Sequence, residues 1–219
     1  NIVGLAGIIF YYKQKGRIIK MFAFGCFDKF MLQNLPYIEK ESYEIPITIG
    51  ILICDLRQQF CKENILNYLN HFNRFSDKYI NFYIPGYCST DEMESLRVGG
   101  YDRFYEDYYN LRGKEYYFSE KYFDEFIYQL REKYNIVYAG EPELILVEVV
   151  NGQVNWSKKI RFQLLSLQKK GKIDTVYKFF DMIFELAKKY VALEDFSRAG
   201  RRDKLKDSFF HVVQKSIPE

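Results

Sequence analysis

The run Ile47-Thr48-Ile49-Gly50-Ile51-Leu52-Ile53-Cys54, closed by Asp55, decides how this chain is read. Seven of its eight residues before Asp55 are apolar or glycine, and there is no polar alternation. That pattern suits a strand buried on both faces. Downstream, Ile65, Leu69, Phe72 and Phe75 recur at helical spacing and predict a helix over 62–75. Residues 79–84 (YINFYI) read as a second strand, stopped by Pro85-Gly86. A strand, a helix and a strand in this order make a βαβ crossover, a unit that is right-handed in nearly all folds.

Working outward, Ile2–Tyr12 and 18–27 are apolar stretches around Lys13-Gln14-Lys15-Gly16-Arg17, the pattern of a β-hairpin. Residues 103–111 predict a short helix and 115–118 a short strand. Ser119 is a good N-cap for a helix running to Tyr134, with Phe123, Phe126, Ile127 and Leu130 on one face. Residues 144–150 (LILVEVV) read as a third buried strand, followed by an Asn151-Gly152 turn. Asp174 is the expected cap of a helix to Tyr190, and a last helix is expected near 202–215. The expected fold is α/β: a Rossmann-like, mainly parallel sheet with helices on both faces and a C-terminal helical pair. Residues 1–157 form the expected core domain, with the hairpin and an 85–114 insertion; 158–219 form a mostly helical region packed on it.

Composition narrows the function classes. Of 219 residues, 48% are apolar, enough for a sizeable core and against global disorder. A net charge of +3 does not call for a polyanionic partner. Cys26, Cys54, Cys61 and Cys88 form no C-x-x-C pair, so reduced thiols and a cytoplasmic setting are expected. No apolar run reaches the ~18 residues of a membrane span. The dinucleotide, P-loop, zincin, nucleophile-elbow, EF-hand and zinc-ribbon patterns are all missing. The sequence therefore leaves any cofactor unknown, and with only His71 and His211 it implies no histidine metal cluster. Cys61 precedes the 62–75 helix but has no base beside it in sequence, so an inert thiol is expected.

Topology supplies the site. In open α/β sheets ligands sit beyond the carboxyl ends of the strands. If all three strands are parallel, Asp55-Leu56-Arg57, Tyr87-Cys88-Ser89-Thr90-Asp91 and Asn151-Gly152 meet there, while Glu141 and Glu143 lie at the far edge. The insertion interleaves Tyr101, Phe104, Tyr105, Tyr108 and Tyr109 with Arg97, Arg103 and Arg112. Rings can stack on bases, and guanidinium groups can fork onto phosphates. The candidate ligand-binding residues are Asp55, Arg57, Tyr87, Ser89, Thr90, Asp91 and Tyr101. Asp55 is read as a ribose contact or general base, with capping of the following turn as its structural role. Asp55 and Ser89–Asp91 are expected within about 10–15 Å of each other, with 92–114 folded over them as a lid.

In outline, the β–Asp–α–β order resembles nucleotide-binding and TIR-like domains, without the catalytic patterns of either. That resemblance implies a domain binding a nucleotide-like small molecule, as a sensor or effector in bacterial signalling or antiviral defence. The competing expectation is a non-catalytic protein–protein interaction module, self-association included. Nucleic-acid binding through Arg198, Arg201, Arg202, Lys204 and Lys206 ranks below both, because Asp203 and Asp207 dilute that patch.

Overall fold

The structure, a computed structural model, describes residues 21–24, 46–76, 79–90, 104–111, 114–190 and 192–194; for 21–24, 104–111 and Lys114 it describes the backbone alone. The main sheet has five strands: β1 (Met21–Phe24), β2 (Ile47–Ile53), β3 (Asn81–Pro85), β7 (Glu143–Val150) and β8 (Gln153–Gln163). Their spatial order is β1-β3-β2-β7-β8. Between β2 and β3 lie α1 (Gln59–Asn64), a 3-10 turn (Leu66–Tyr68) and α2 (Leu69–Ser76). After β3 the chain builds a second, three-stranded sheet from β4 (Tyr87–Ser89), β5 (Phe104–Leu111) and β6 (Lys114–Ser119), in the order β4-β6-β5. Helix α3 (Glu120–Tyr134) leads back to β7, and α4 (Leu164–Lys169) and α5 (Val176–Lys189) follow β8.

The fold-class expectation is overturned. β1 and β2 both run parallel to β3, but β7 is antiparallel to β2, and β8 is antiparallel to β7. The sheet is mixed, not a mainly parallel Rossmann sheet. The misreading has a physical source. An apolar run such as LILVEVV reports burial on both faces, and β7 is buried along all but its last residue. Burial carries no information about strand direction. Direction comes from the route, and the chain reaches β7 only after the second sheet and α3.

Local readings fared according to how much of their cause was local. Ser119 does cap α3, its Oγ accepting from the Tyr122 N–H at 3.2 Å. Asn151-Gly152 forms the two-residue β7–β8 turn with φ of 49° and 74°, as hairpin twist demands. The cap of α5 is Thr175 rather than Asp174; Asp174 pairs instead with Lys178. The expected 62–75 helix is split at Ile65, whose φ of −126° is not helical. Residues 104–111 form a strand where a helix was expected, because β5 pairs along β6. The 157/158 boundary falls within β8. Most of the N-terminal hairpin, the 202–215 helix and the 198–206 patch lie outside the described residues.

The core is aromatic. Phe72 of α2 stacks on Phe180 of α5 with centroids 4.3 Å apart, and Phe180 and Phe184 meet Phe82 of β3 edge-on. Phe82 also explains Gly50. A Cβ on Gly50 would lie 2.5 Å from two Phe82 ring carbons, so the central strand has no room for a side chain there. Gly50→Ala therefore overpacks the β2–β3 joint and should lower stability by about 1–3 kcal/mol. Adding Phe82→Leu should recover part of that loss by opening space. Urea titration of the two single variants and the double variant checks this; strict additivity would mean that the ring is not the obstacle.

Candidate functional site

The carboxyl ends of β2 and β3 share an edge, as their parallel pairing requires. The Tyr87 hydroxyl donates to the Cys54 carbonyl across that edge at 2.8 Å, so the segments following the two strands touch. The reversal of β7 then exchanges two groups. Glu143 lies opposite Ile53, on the Asp55 edge, whereas Val149 lies opposite Ile47 at the other end. Glu141 and Glu143 thus join the expected site edge, and Asn151-Gly152 leaves it.

Asp55 is buried at the close of β2. Its Oδ1 accepts the Arg57 backbone N–H and the Arg57 Nε–H, both at 2.9 Å, and its Oδ2 accepts Nε at 2.9 Å and Nη2 at 2.8 Å. The Asp55 carbonyl also accepts the Gln58 N–H at 3.0 Å. An ionised carboxylate has about four acceptor positions, and three N–H groups of Arg57 meet Asp55, the Nε–H shared between both oxygens. Asp55 closes the turn and anchors Arg57.

Arg57 is the organising cation. Its side chain is 34% exposed. Beyond Asp55, its Nη2 donates to Asp124 at 3.1 Å, and Nη1 lies 3.8 Å from Glu120. The guanidinium carbon sits 5.7 Å from the Phe118 centroid and 5.6 Å from that of Phe123, within cation–π reach. Hydrogen bonding to Asp55 raises its pKa further above the ordinary guanidinium value. Gly86 makes this assembly possible. Its φ is +85°, a Cβ there would come within 2.8 Å of the Phe123 side chain, and its carbonyl accepts the Ser119 N–H at 2.8 Å. The first turn of α3 is thereby delivered beside Arg57.

The remaining polar groups of this edge also have partners. The Gln58 amide donates to the Gly140 carbonyl at 3.0 Å and to the Tyr138 hydroxyl at 3.3 Å. Burial raises the pKa of that hydroxyl. Buried Glu143 is forked by Arg161, whose Nε and Nη2 both donate to it while Nη2 also donates to the Val137 carbonyl at 2.7 Å. Glu141 caps α4, accepting the Ser166 hydroxyl at 2.5 Å and its N–H at 2.7 Å. Cys54 and Cys61 are buried free thiols, and burial together with Cys61 pushes the Cys54 thiol up. Among the described residues no cluster of metal-ligating side chains occurs, and no helix is long and apolar enough to cross a membrane.

Of the other expected ligand residues, Tyr87 is buried, so its ring presents no stacking surface to solvent. Ser89 is half-buried at the end of β4, opposite Tyr116, and Thr90 is exposed. Asp91 and Tyr101 lie outside the described residues, as does most of the expected lid.

Sequence reading missed a second cluster. His71 of α2 lies between the rings of Phe75 and Tyr177, at centroid distances of 4.2 and 4.3 Å. Tyr68 extends the row, 5.4 Å from Tyr177. His71 Nε2 is 3.1 Å from Asp181 Oδ1, and Nδ1 is 3.1 Å from the Tyr177 hydroxyl. A carboxylate only accepts, so Nε2 carries the proton and, in the neutral ring, Nδ1 accepts from Tyr177. Phe75, expected on the core face, is instead 50% exposed, and Tyr68 is 40% exposed. The available signal was the i,i+4 spacing of His71–Phe75 and Tyr177–Asp181, which places each pair on one helical face.

Compared with models of known protein families, with curated proteins and with solved structures, the chain matches none.

The Arg57 cluster makes a firm claim about Asp55. Asp55→Asn keeps the shape and the turn contact but removes the charge opposite Arg57. The expected loss is about 1–3 kcal/mol, less than the ~3–5 kcal/mol of breaking a fully buried pair, because Arg57 remains partly in water. An unchanged urea midpoint would show that the carboxylate does not hold the turn and is available for a ligand.

Proposed function

We propose that this chain is a protein-interaction module that meets its partner with the aromatic row of α2 and α5. The carrying observation is that Tyr68 and Phe75, at 40% and 50% exposure, end one continuous row of four rings. Scattered exposed apolar residues are normal on monomers, but a contiguous ring surface is a feature of interaction sites. Tyrosine is also among the residues most enriched at binding hot spots. A photo-cross-linking residue placed at Phe75 in cells should give a discrete adduct, weakened by Tyr68→Ala. The same residue at Tyr128, 62% exposed on α3, should not give it. Identical adducts from both positions, or none from either, would remove this reading.

A second reading rests on Arg57. Among the described residues its Nη1 has no partner closer than Glu120 at 3.8 Å, while Asp55 and two rings pin the rest of the group. A cation so oriented suits the phosphate of a nucleotide-like small molecule, with Ser89, Thr90, Asp91 and Tyr101 as further contacts. A sensor or effector role would accompany such a ligand. Thermal-shift measurements with nucleotides, NAD and cyclic oligonucleotides test it. A binder at 100 times its Kd stabilises by about 2.7 kcal/mol, a rise of roughly 5–10 °C for a domain of this size. Arg57→Gln should abolish the rise, and a flat response to every compound sinks the reading.

A further inference from the structure

We infer that the aromatic row is a receptor for an arginine side chain of the partner; this rests on the interaction-module reading. The chemistry follows from what the row leaves open. Asp181 is 43% exposed and spends only Oδ1 on His71; among the described residues Oδ2 has no partner. One turn further along α5, Glu185 is 66% exposed, and among the described residues its only ion pair is a loose one with Lys188 at 3.9 Å. The surface therefore sets part-exposed rings beside the Asp181 carboxylate, with Glu185 one helical turn further along α5. That combination selects for a flat cation that can stack and donate in the same plane. The guanidinium of arginine does both: it lies on aromatic faces and forks onto carboxylates. A lysine ammonium is a compact, strongly hydrated point charge that can do neither as well.

The histidine sets the geometry. By holding Asp181 Oδ1 on Nε2, His71 fixes the carboxylate against the row, so Oδ2 is oriented before any partner arrives. Arg74 opposes an incoming cation, since it is exposed on α2 next to Phe75. Selection thus has to come from stacking and forked bonding rather than from net charge.

The test uses the full 219-residue chain and three blocked tetrapeptides: tetra-arginine, tetra-lysine and tetra-glutamate. Binding is followed by the NMR shifts of the Phe, Tyr and His ring signals. Tetra-arginine should move the signals of Phe75, Tyr68 and His71 and bind about two- to fivefold more tightly than tetra-lysine, the range expected of an exposed cation–π contact. Tetra-glutamate should move none of them. Asp181→Asn should weaken tetra-arginine about tenfold, as loss of a charge-assisted fork does, and Arg74→Gln should tighten it. Because Asp181 and Arg74 are surface residues, ring dispersion in those variants reports whether the fold is intact; Glu185→Gln is the milder variant if Asp181→Asn disturbs it. Equal binding of the arginine and lysine peptides, or arginine binding indifferent to both Asp181→Asn and Glu185→Gln, overturns the inference. If the arginine peptide fails while the Phe75 cross-link persists, the module reading stands and the arginine receptor falls. If both fail, both fall.

Discussion

The antiparallel pairing of β2 with β7, seven residues long and buried on both faces, is the joint on which the rest of the molecule depends. β2 takes β3 on its other side in parallel, so one strand carries both kinds of pairing. The parallel side brings the segments after β2 and β3 to a single edge. The antiparallel side adds the start of β7 to that edge and sends the β7–β8 turn to the opposite one. Gly50 is the condition of this arrangement, because the Phe82 ring occupies the volume that a side chain would need.

The edge so formed concentrates carboxylates: Asp55 just after β2, Glu141 and Glu143 at the entry of β7, and Glu120 and Asp124 from the N-terminal part of α3. Unpaired, they would repel one another and carry a large desolvation cost. The fold answers with Arg57, Arg161 and the N-terminus of α4, each meeting one or more of these carboxylates with directed hydrogen bonds. The polar groups that look functional in sequence are thereby largely engaged with each other. Among the described residues, what stays open at this edge is Nη1 of Arg57. Elsewhere the ring surface of α2 and α5 stays open, and among the described residues Asp181 there keeps one oxygen unengaged.

How far the residues announced this differs between fold and site. Buried strands, the Ser119 cap and the Asn-Gly turn were legible because each is set within a few residues, by hydrophobicity or by backbone chemistry. Asp55 and Arg57 were legible as candidates because they follow a buried strand. Their pairing with each other was not, since an i,i+2 ion pair forms only if the turn between them closes. Asp124 and Phe118 beside Arg57, and Tyr177 beside His71, were invisible because residues 67 and 106 positions apart meet only in space.

The sequence by itself determined which segments are buried, where α3 starts and where the β7–β8 hairpin turns, because hydrophobic transfer and backbone sterics act over short range. Only the tertiary structure decided strand direction, the strand rather than helix at 104–111, and the exposure of Phe75. Each of these depends on a pairing or packing partner: β2 for the direction of β7 and α5 for the face that α2 turns to the core, both distant in sequence, and the adjacent strand β6 for β5. Helical spacing alone places Phe75 with Phe72. The break at Ile65 and the docking of Phe72 on Phe180 turn Phe75 outward, and the exposed row follows from that rotation.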